Sequence, residues 1–172
     1  MGGKRTKYIS KDNLYMLISY IMSMRSKDPN TQVGCVIVSE DDRILTMGYN
    51  GFPNGCSDDD FPWYRDGEEE NTKYPYVVHS ELNAILNFRG DTKALQGSTL
   101  YVTLFPCHEC TKAIIQVGIK KIIYESNKYK NTADYREARR MLNAAGVECI
   151  QYNLSRDDEI ELVKQILDHF HI

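Results

Sequence analysis

The segment TLYVTLFPCHECTKAIIQVGIKKIIYE, residues 99–125, is the most informative part of this chain for its class of fold. Residues 99–105 and 121–125 are rich in aliphatic and β-branched side chains and predict two buried strands, and residues 107–117 between them have helical spacing. A strand, a helix and a second strand in succession pair in parallel through a right-handed crossover. The segment therefore predicts the centre of an α/β sheet.

The rest of the chain adds elements on both sides of this unit. Apolar residues recur at helical spacing over residues 12–27, and two short aliphatic runs, 33–38 and 44–47, predict a β-hairpin. Further helices are expected over residues 79–88 and 132–145 and from about residue 157, with a strand over residues 147–152. The pattern predicts a three-layer α/β/α sandwich with a mixed five-stranded sheet, and we expect residues 1–172 to form a single domain.

Composition limits the classes of function. The chain has 42% hydrophobic and 26% charged residues, as in ordinary globular proteins, and no apolar run near the roughly 20 residues of a membrane span. Residues 1–7 are polar and lack the apolar core of a secretory signal, so we expect a cytoplasmic protein without a membrane partner. A net charge of -3 argues against a long nucleic-acid interface.

Residues 48–78 separate the hairpin from the parallel unit. They contain much of the glycine and proline of the chain and two acidic clusters, at 58–60 and 68–70, without sustained periodicity. A long irregular segment inside a compact domain is more often a functional loop than a linker. We therefore expect this loop to contribute to a site.

Two short motifs carry candidate metal-binding residues. Cys107 and Cys110 lie three residues apart and share one face of a first helical turn, where both sulfurs can reach one ion and the helix N-terminus favours thiolates. His79, at another predicted helix start, supplies an imidazole. His108 lies between the two cysteines but points away from their shared face, so we assign it no metal role. Three protein ligands leave the fourth position of tetrahedral zinc open, which is the arrangement of a catalytic site.

Glu81 is the candidate catalytic acid and base. It can flank the same ion as His79 only if His79 precedes the regular helix, because residues two apart on a helix face different directions. Glu81 would take a proton from water and pass it to a ring nitrogen and then to a departing amino group. The order H-x-E and then P-C-x-x-C is typical of zinc-dependent nucleobase deaminases.

Longer stretches narrow the class further. They are RSKDPN at 25–30, GYNGFPNG at 48–55, HSELNAI at 79–85 and FPCHEC at 105–110, with IIQ at 114–116. Over about residues 12–150 the chain closely resembles the deoxycytidylate (dCMP) deaminase family. The resemblance implies zinc-dependent hydrolytic deamination of dCMP to dUMP, which supplies dUMP for thymidylate synthesis. A close variant of this activity would also accept dCTP as a substrate.

The resemblance implies a substrate site as well. Zinc would be held by His79, Cys107 and Cys110 with Glu81 catalytic, and the substrate would be contacted by Asn50, Arg25, Lys27 and Tyr129. In this arrangement Asn50 contacts the deoxyribose and base, the loop of residues 25–30 helps to hold the 5′-phosphate, and Tyr129 lines the site. Each of these substrate residues also has a purely structural interpretation. Arg25 and Lys27 could complement a helix dipole, Asn50 could be a turn residue, and Tyr129 could pack on the core.

The resemblance further implies assembly and regulation. The family is typically a homohexamer, activated by dCTP and inhibited by dTTP, with Mg²⁺ accompanying a triphosphate effector. The effector site would lie near Tyr49, Gly51, Asn54 and Gly55. Some relatives bind a second, structural zinc in the inserted loop, but here that loop offers Cys56 as its single cysteine, so we expect one zinc ion per chain.

Two alternatives stay open from the sequence. A deaminase acting on a base within RNA or DNA would need a basic, aromatic-lined channel, and the acidic clusters of residues 58–60 and 68–70 count against it. A catalytically silent, nucleotide-sensing zinc protein would have lost the proton carrier, but Glu81 is present.

Overall fold

One five-stranded sheet forms the centre of the molecule. Its strands are β1 (Gly34–Val38), β2 (Ile44–Tyr49), β3 (Thr99–Leu104), β4 (Lys121–Ser126) and β5 (Glu148–Gln151), arranged in the order β2-β1-β3-β4-β5. These assignments come from a computed structural model that describes residues 3, 4, 6, 8–154 and 156–170. The polar segment 1–7 and both ends of the expected domain therefore lie partly outside the described residues.

The strand directions bring several loops to one edge of the sheet. β1 pairs antiparallel with both β2 and β3, whereas β3, β4 and β5 pair in parallel. The beginning of β1 therefore lies at the same edge as the ends of β2, β3 and β4. The carboxyl ends of parallel strands are the usual location of ligand sites in open α/β sheets.

Helices cover both faces of the sheet. They are α1 (Lys11–Ser23), α2 (Ser80–Asn87), α3 (His108–Gln116), α4 (Ala133–Ala144) and α5 (Arg156–Phe170). Tyr15 and Met16 of α1 are buried in the core on one face, and Ala84, Ile114 and Leu142 of α2, α3 and α4 are buried on the other. The predicted three-layer α/β/α sandwich with a mixed five-stranded sheet is confirmed. Among the described residues, no helix is both long enough and apolar enough to cross a membrane.

The first helix ends earlier than its apolar pattern predicts. α1 ends at Ser23 rather than near residue 27, and the chain continues as tight turns in which Arg25 and Ser26 donate backbone hydrogen bonds to residues three positions earlier. Pro29 follows shortly afterwards and disfavours helical geometry at the residue before it. Residues 25–28 therefore form a loop that leads into β1.

Close backbone contact fixes α2 on the sheet. A Cβ atom at Gly48 would collide with the carbonyl oxygen of Ser80 and the backbone nitrogen of Ala84. Thr46 of β2 also donates a hydrogen bond of 2.9 Å to the Ala84 carbonyl. Glycine at position 48 thus lets the start of α2 lie directly against β2, and this contact fixes where the residues around position 80 lie.

Candidate metal and catalytic site

His79, Cys107 and Cys110 meet where two helices begin. His79 and Cys107 are the N-cap residues of α2 and α3, both with extended backbone geometry, and Cys110 lies in the first turn of α3. The His79 Nδ1 atom is 3.3 Å from the Cys107 Sγ atom and 3.6 Å from the Cys110 Sγ atom. Tetrahedral zinc with its usual bond lengths separates its ligand atoms by about 3.5 Å. The spacing of the three donor atoms therefore fits a zinc ion.

This cluster stands out among the residues that the structure describes. Within them, His79, Cys107 and Cys110 are the one group of three or more His, Cys, Asp or Glu side chains arranged to hold a metal ion. The His108 ring lies instead against Asp134 of α4 and contacts the Glu109 carboxylate at 3.0 Å.

The donor atoms of the cluster also interact with one another. A hydrogen bond from Cys110 lowers the pKa of Cys107 to about 4, and the same bond raises the pKa of Cys110. A hydrogen bond with Cys107 raises the pKa of His79 to about 9. These interactions favour the thiolate form of Cys107, and a cation bound between the three donors would take the place of the protons on His79 and Cys110.

Glu81 is buried beside this cluster. Its side chain faces the cavity described below and is only 4% exposed. Burial raises the pKa of the Glu81 carboxyl, because removal from water disfavours the charged form. The Ser80 hydroxyl donates a hydrogen bond of 2.8 Å to Glu81 Oε2. Glu81 is therefore a buried carboxyl group whose protonated form is favoured relative to an exposed glutamate, as a group that both accepts and donates protons requires.

A cavity of about 470 Å³ opens above these residues at the edge where β3 and β4 end. This volume lies within the range of small-molecule sites, roughly 300–1,000 Å³. His79, Glu81 and Cys107 line it together with apolar side chains, namely Val33, Val77, Leu104, Phe105 and Pro106. A reactive end beside apolar walls suits a flat heteroaromatic ring.

Two of the predicted substrate residues line this cavity. Tyr129 does so from the loop after β4, and Asn50 does so from the end of β2. The Asn50 amide is bonded to the loop before β1: Nδ2 donates to the Thr31 carbonyl at 3.0 Å, and Oδ1 accepts from the Val33 N–H at 2.8 Å. Asn50 therefore holds the cavity wall together, and among the described residues the Val33 N–H is the one donor to its Oδ1, which leaves this oxygen a free lone pair.

The other two predicted substrate residues, Arg25 and Lys27, lie outside the cavity lining. Both are exposed, with the Arg25 guanidinium 6.0 Å from the centre of the Tyr49 ring and the Lys27 ammonium paired with Asp58. Since α1 ends at Ser23, the turns that follow direct residues 25 and 27 to the outer surface. The expectation that they hold the phosphate therefore finds no support in their placement.

The predicted effector residues lie around the start of the long loop. Tyr49 is the last residue of β2, and Gly51 pairs with Val78 in an isolated bridge that closes the base of the loop. Asn54 and Gly55 are exposed, and Gly55 has a positive φ of 92°. Their role as an effector site stays a prediction.

The sequence did not identify several residues of the cavity wall. Asp28 and Lys73 form an ion pair whose side chains are only 2% and 9% exposed. Arg65 and Tyr74 line the cavity from the long loop. Asp28 precedes Pro29, as turn residues often do, but nothing in the sequence sets Lys73 or Arg65 apart from other charged loop residues.

The fold and the site together define a class. An α/β/α sandwich with one His and two Cys ligands at helix starts, and a buried Glu beside them, is the arrangement of a zinc-dependent deaminase. Comparisons with known proteins agree.

The chain belongs to the family described as the cytidine and deoxycytidylate deaminase zinc-binding region, whose sequence profile matches residues 9–126. It is 48% identical to the deoxycytidylate deaminase of Homo sapiens over 145 residues, which covers 84% of this chain and 80% of the relative. It is 51% identical to a probable deoxycytidylate deaminase of Drosophila melanogaster over 151 residues, or 84% of this chain and 73% of the relative. The resemblance inferred from the sequence is thereby confirmed.

A solved structure agrees in fold. The dCMP deaminase of the cyanophage S-TIM5, in complex with dCMP and dUMP, superposes with a TM-score of 0.64 at 28% identity. The match covers 81% of this chain and 94% of the cyanophage chain.

Proposed function

We propose that this chain catalyses the zinc-dependent hydrolytic deamination of dCMP to dUMP and so supplies dUMP for thymidylate synthesis. The observation that carries the proposal is the buried Glu81 carboxyl beside the His79, Cys107 and Cys110 cluster, at the end of a cavity of nucleotide size. The named activities of its relatives support dCMP as the substrate. Acceptance of dCTP as a second substrate belongs to the same proposal.

One zinc ion per chain would be held by His79, Cys107 and Cys110. The donor set fits, since two sulfurs and one imidazole nitrogen lie within 4.8 Å of one another. When bound in such a site, zinc acts as a Lewis acid that makes water nucleophilic near neutral pH.

The proton transfers fall to Glu81. As water adds to C4 of the cytosine ring, Glu81 accepts one proton from it and delivers that proton to ring N3. Glu81 then takes the remaining proton from the hydroxyl at C4 and carries it to the amino group, so that the C–N bond breaks, ammonia leaves and C4 becomes a carbonyl. Burial keeps the pKa of Glu81 raised, so the carboxyl can be protonated and deprotonated in one cycle.

The cavity walls would orient the substrate. The apolar surface of Val33, Leu104 and Phe105 suits the faces of a pyrimidine ring. The free lone pair on Asn50 Oδ1 can accept a hydrogen bond from a sugar hydroxyl, and Tyr129 bounds the opening. These contacts would hold C4 close to Glu81.

The two alternatives gain no specific support. A deaminase acting on RNA or DNA needs a basic channel for the flanking nucleotides, but residues 68–70 place three exposed carboxylates on the long loop. A silent nucleotide sensor would not need the buried Glu81.

We extend the proposal to the assembly and the location of the protein. From the family resemblance alone, we extend it to a single deaminase domain over the whole chain and to a cytoplasmic homohexamer, activated by dCTP with Mg²⁺ and inhibited by dTTP. The loop geometry of Tyr49, Gly51, Asn54 and Gly55 is compatible with an effector site, because glycines let backbone N–H groups approach phosphates.

The test follows the ultraviolet absorbance of zinc-loaded protein given dCMP, dCTP, deoxycytidine or cytosine, with and without added dCTP as activator. We expect loss of the cytosine spectrum with dCMP. Glu81→Gln keeps the shape of the side chain but cannot carry the proton, so it should lower turnover by at least about 10²-fold at unchanged zinc content. If none of the four compounds is deaminated, the proposal is wrong.

A further inference from the structure

Most charged groups around the cavity already have a partner. The Lys73 ammonium is paired with the Asp28 carboxylate, and the His108 ring is bonded to Asp134. The Glu109 carboxylate, which also lines the cavity, contacts the Lys112 ammonium at 2.6 Å. These pairs leave little charge free to recognise an anionic ligand.

Arg65 differs from these groups. It lines the same cavity and is exposed, so it lies at the solvent end while the buried Glu81 lies at the inner end. Its Nε atom donates to the neutral Tyr74 hydroxyl at 3.2 Å. Within the part of the chain that the structure describes, no carboxylate pairs with Arg65 at ion-pair distance. Its terminal guanidinium nitrogens are thus available to an anion.

The loop around Arg65 is held by its own small core. The Phe52 and Trp63 ring centres lie 4.1 Å apart, and the Trp63 indole N–H donates to the Asp58 carbonyl at 3.1 Å. On the other side, the Tyr64 carbonyl accepts a hydrogen bond of 2.9 Å from the backbone N–H of Lys73, a buried residue of the cavity wall. The backbone that leads into Arg65 is therefore held in place.

A second cation lies beside the same opening. The Lys128 ammonium lies 5.2 Å from the centre of the Tyr129 ring and donates to Thr31 Oγ1 at 3.3 Å. Thr31 and Tyr129 both line the cavity, and Lys128 itself is exposed. The neutral partners of Lys128 leave its positive charge uncompensated in these contacts.

We infer that Arg65, assisted by Lys128, binds the 5′-phosphate of the nucleotide and makes the site selective for a nucleotide over the nucleoside. The inference rests on the proposed function and assigns to these two residues the role that the family resemblance implied for Arg25 and Lys27. A guanidinium can bind phosphate through two parallel hydrogen bonds, and an ammonium adds a point charge. The cavity is thus divided into an inner end for deamination and an outer end for the phosphate.

The test measures by calorimetry how tightly dUMP and deoxyuridine bind to the zinc-loaded chain and to four variants of it. Arg65→Gln and Lys128→Gln remove the assigned charges, and Arg25→Gln tests the rival assignment. Arg43→Gln is the matched control, since Arg43 is exposed on the β1–β2 turn and paired with Asp41. Turnover of dCMP by the unmodified chain is measured in parallel.

We expect Arg65→Gln to weaken dUMP binding by about 10- to 100-fold, the usual loss for a charged hydrogen bond, with little effect on deoxyuridine. Lys128→Gln should have a smaller effect in the same direction, and Arg25→Gln and Arg43→Gln none. If Arg65→Gln weakens both ligands equally, or if only Arg25→Gln weakens dUMP, the assignment is wrong while the proposed function stands. If the unmodified chain neither deaminates dCMP nor binds dUMP, the proposed function itself fails.

Discussion

The ion pair between Asp28 and Lys73 should be the most costly side-chain interaction to break in the cavity wall. Both side chains are almost fully buried, at 2% and 9% exposure. The Asp28 carboxylate also accepts backbone N–H bonds from Asn30 at 2.8 Å and Thr31 at 3.2 Å. The pair therefore joins the loop before β1 to the long loop.

Asp28→Asn removes the negative charge and also replaces Oδ2, the atom that faces the Lys73 ammonium and accepts from Asn50 Nδ2 at 3.4 Å, by an N–H donor. The amide oxygen can still accept both backbone hydrogen bonds, but the Lys73 ammonium is left buried without a counter-ion. Breaking a buried pair in this way costs about 3–5 kcal/mol in the free energy of unfolding. For a chain of this length, such a loss lowers the thermal midpoint by about 10 °C.

A double variant tests whether the orphaned Lys73 charge causes the loss of stability. Replacing Lys73 as well, in Asp28→Asn with Lys73→Met, removes the orphaned charge and should recover at least about 2 kcal/mol of the loss. Thermal unfolding is followed by circular dichroism at fixed protein and zinc concentrations, because bound metal shifts the midpoint. Lys11→Met is the control: its pair with Asp42 is exposed, and we expect no measurable shift. A double variant as unstable as the sum of its single variants would show that the orphaned Lys73 charge is not the cause of the loss.

Two further predictions concern the thiols and the contact between α2 and the sheet. In the zinc-loaded protein, Cys56 should react first with a thiol reagent, and Cys35 should not react because burial raises the pKa of its thiol. Removal of the metal by a chelator should release two further thiols, those of Cys107 and Cys110. Free reaction of these two thiols before chelation would contradict the metal site. Gly48→Ala should lower the free energy of unfolding, measured by chemical denaturation, by about 1–3 kcal/mol and should also reduce turnover, because the added Cβ would push α2 away from β2. Gly3→Ala is the control and should change neither quantity, because no atom lies within 4 Å of the added Cβ.

Local patterns in the sequence were enough to predict the fold and the candidate residues for metal binding and proton transfer. The alternation of strand and helix over residues 99–125 predicts the parallel unit because hydrophobic periodicity is a local property. Cys107 and Cys110 could be grouped because three residues span one helical turn. The extended entry required for His79 to lie beside Glu81 is observed, with His79 as the N-cap of α2.

The outer end of the cavity could not be predicted in this way. Whether Arg25 faces the cavity depends on where α1 ends, and element boundaries are the least reliable part of a sequence-based prediction. The pairing of Asp28 with Lys73 joins residues 45 positions apart, in two segments without regular secondary structure. Such contacts depend on tertiary packing, which leaves no periodic pattern in the sequence.

The two ends of the cavity are therefore built from different kinds of structure. The metal and proton chemistry depends on helix starts that pack on the sheet, where Gly48 lets α2 lie directly against β2. The proposed phosphate contact comes from Arg65, on a loop held by its own aromatic core and joined to the domain at the Gly51–Val78 bridge. Because Arg65 is exposed and lies outside α2 and α3, substitutions at Arg65 can change which nucleotide is accepted without moving Glu81. Substrate preference and catalytic chemistry can then change independently in this fold.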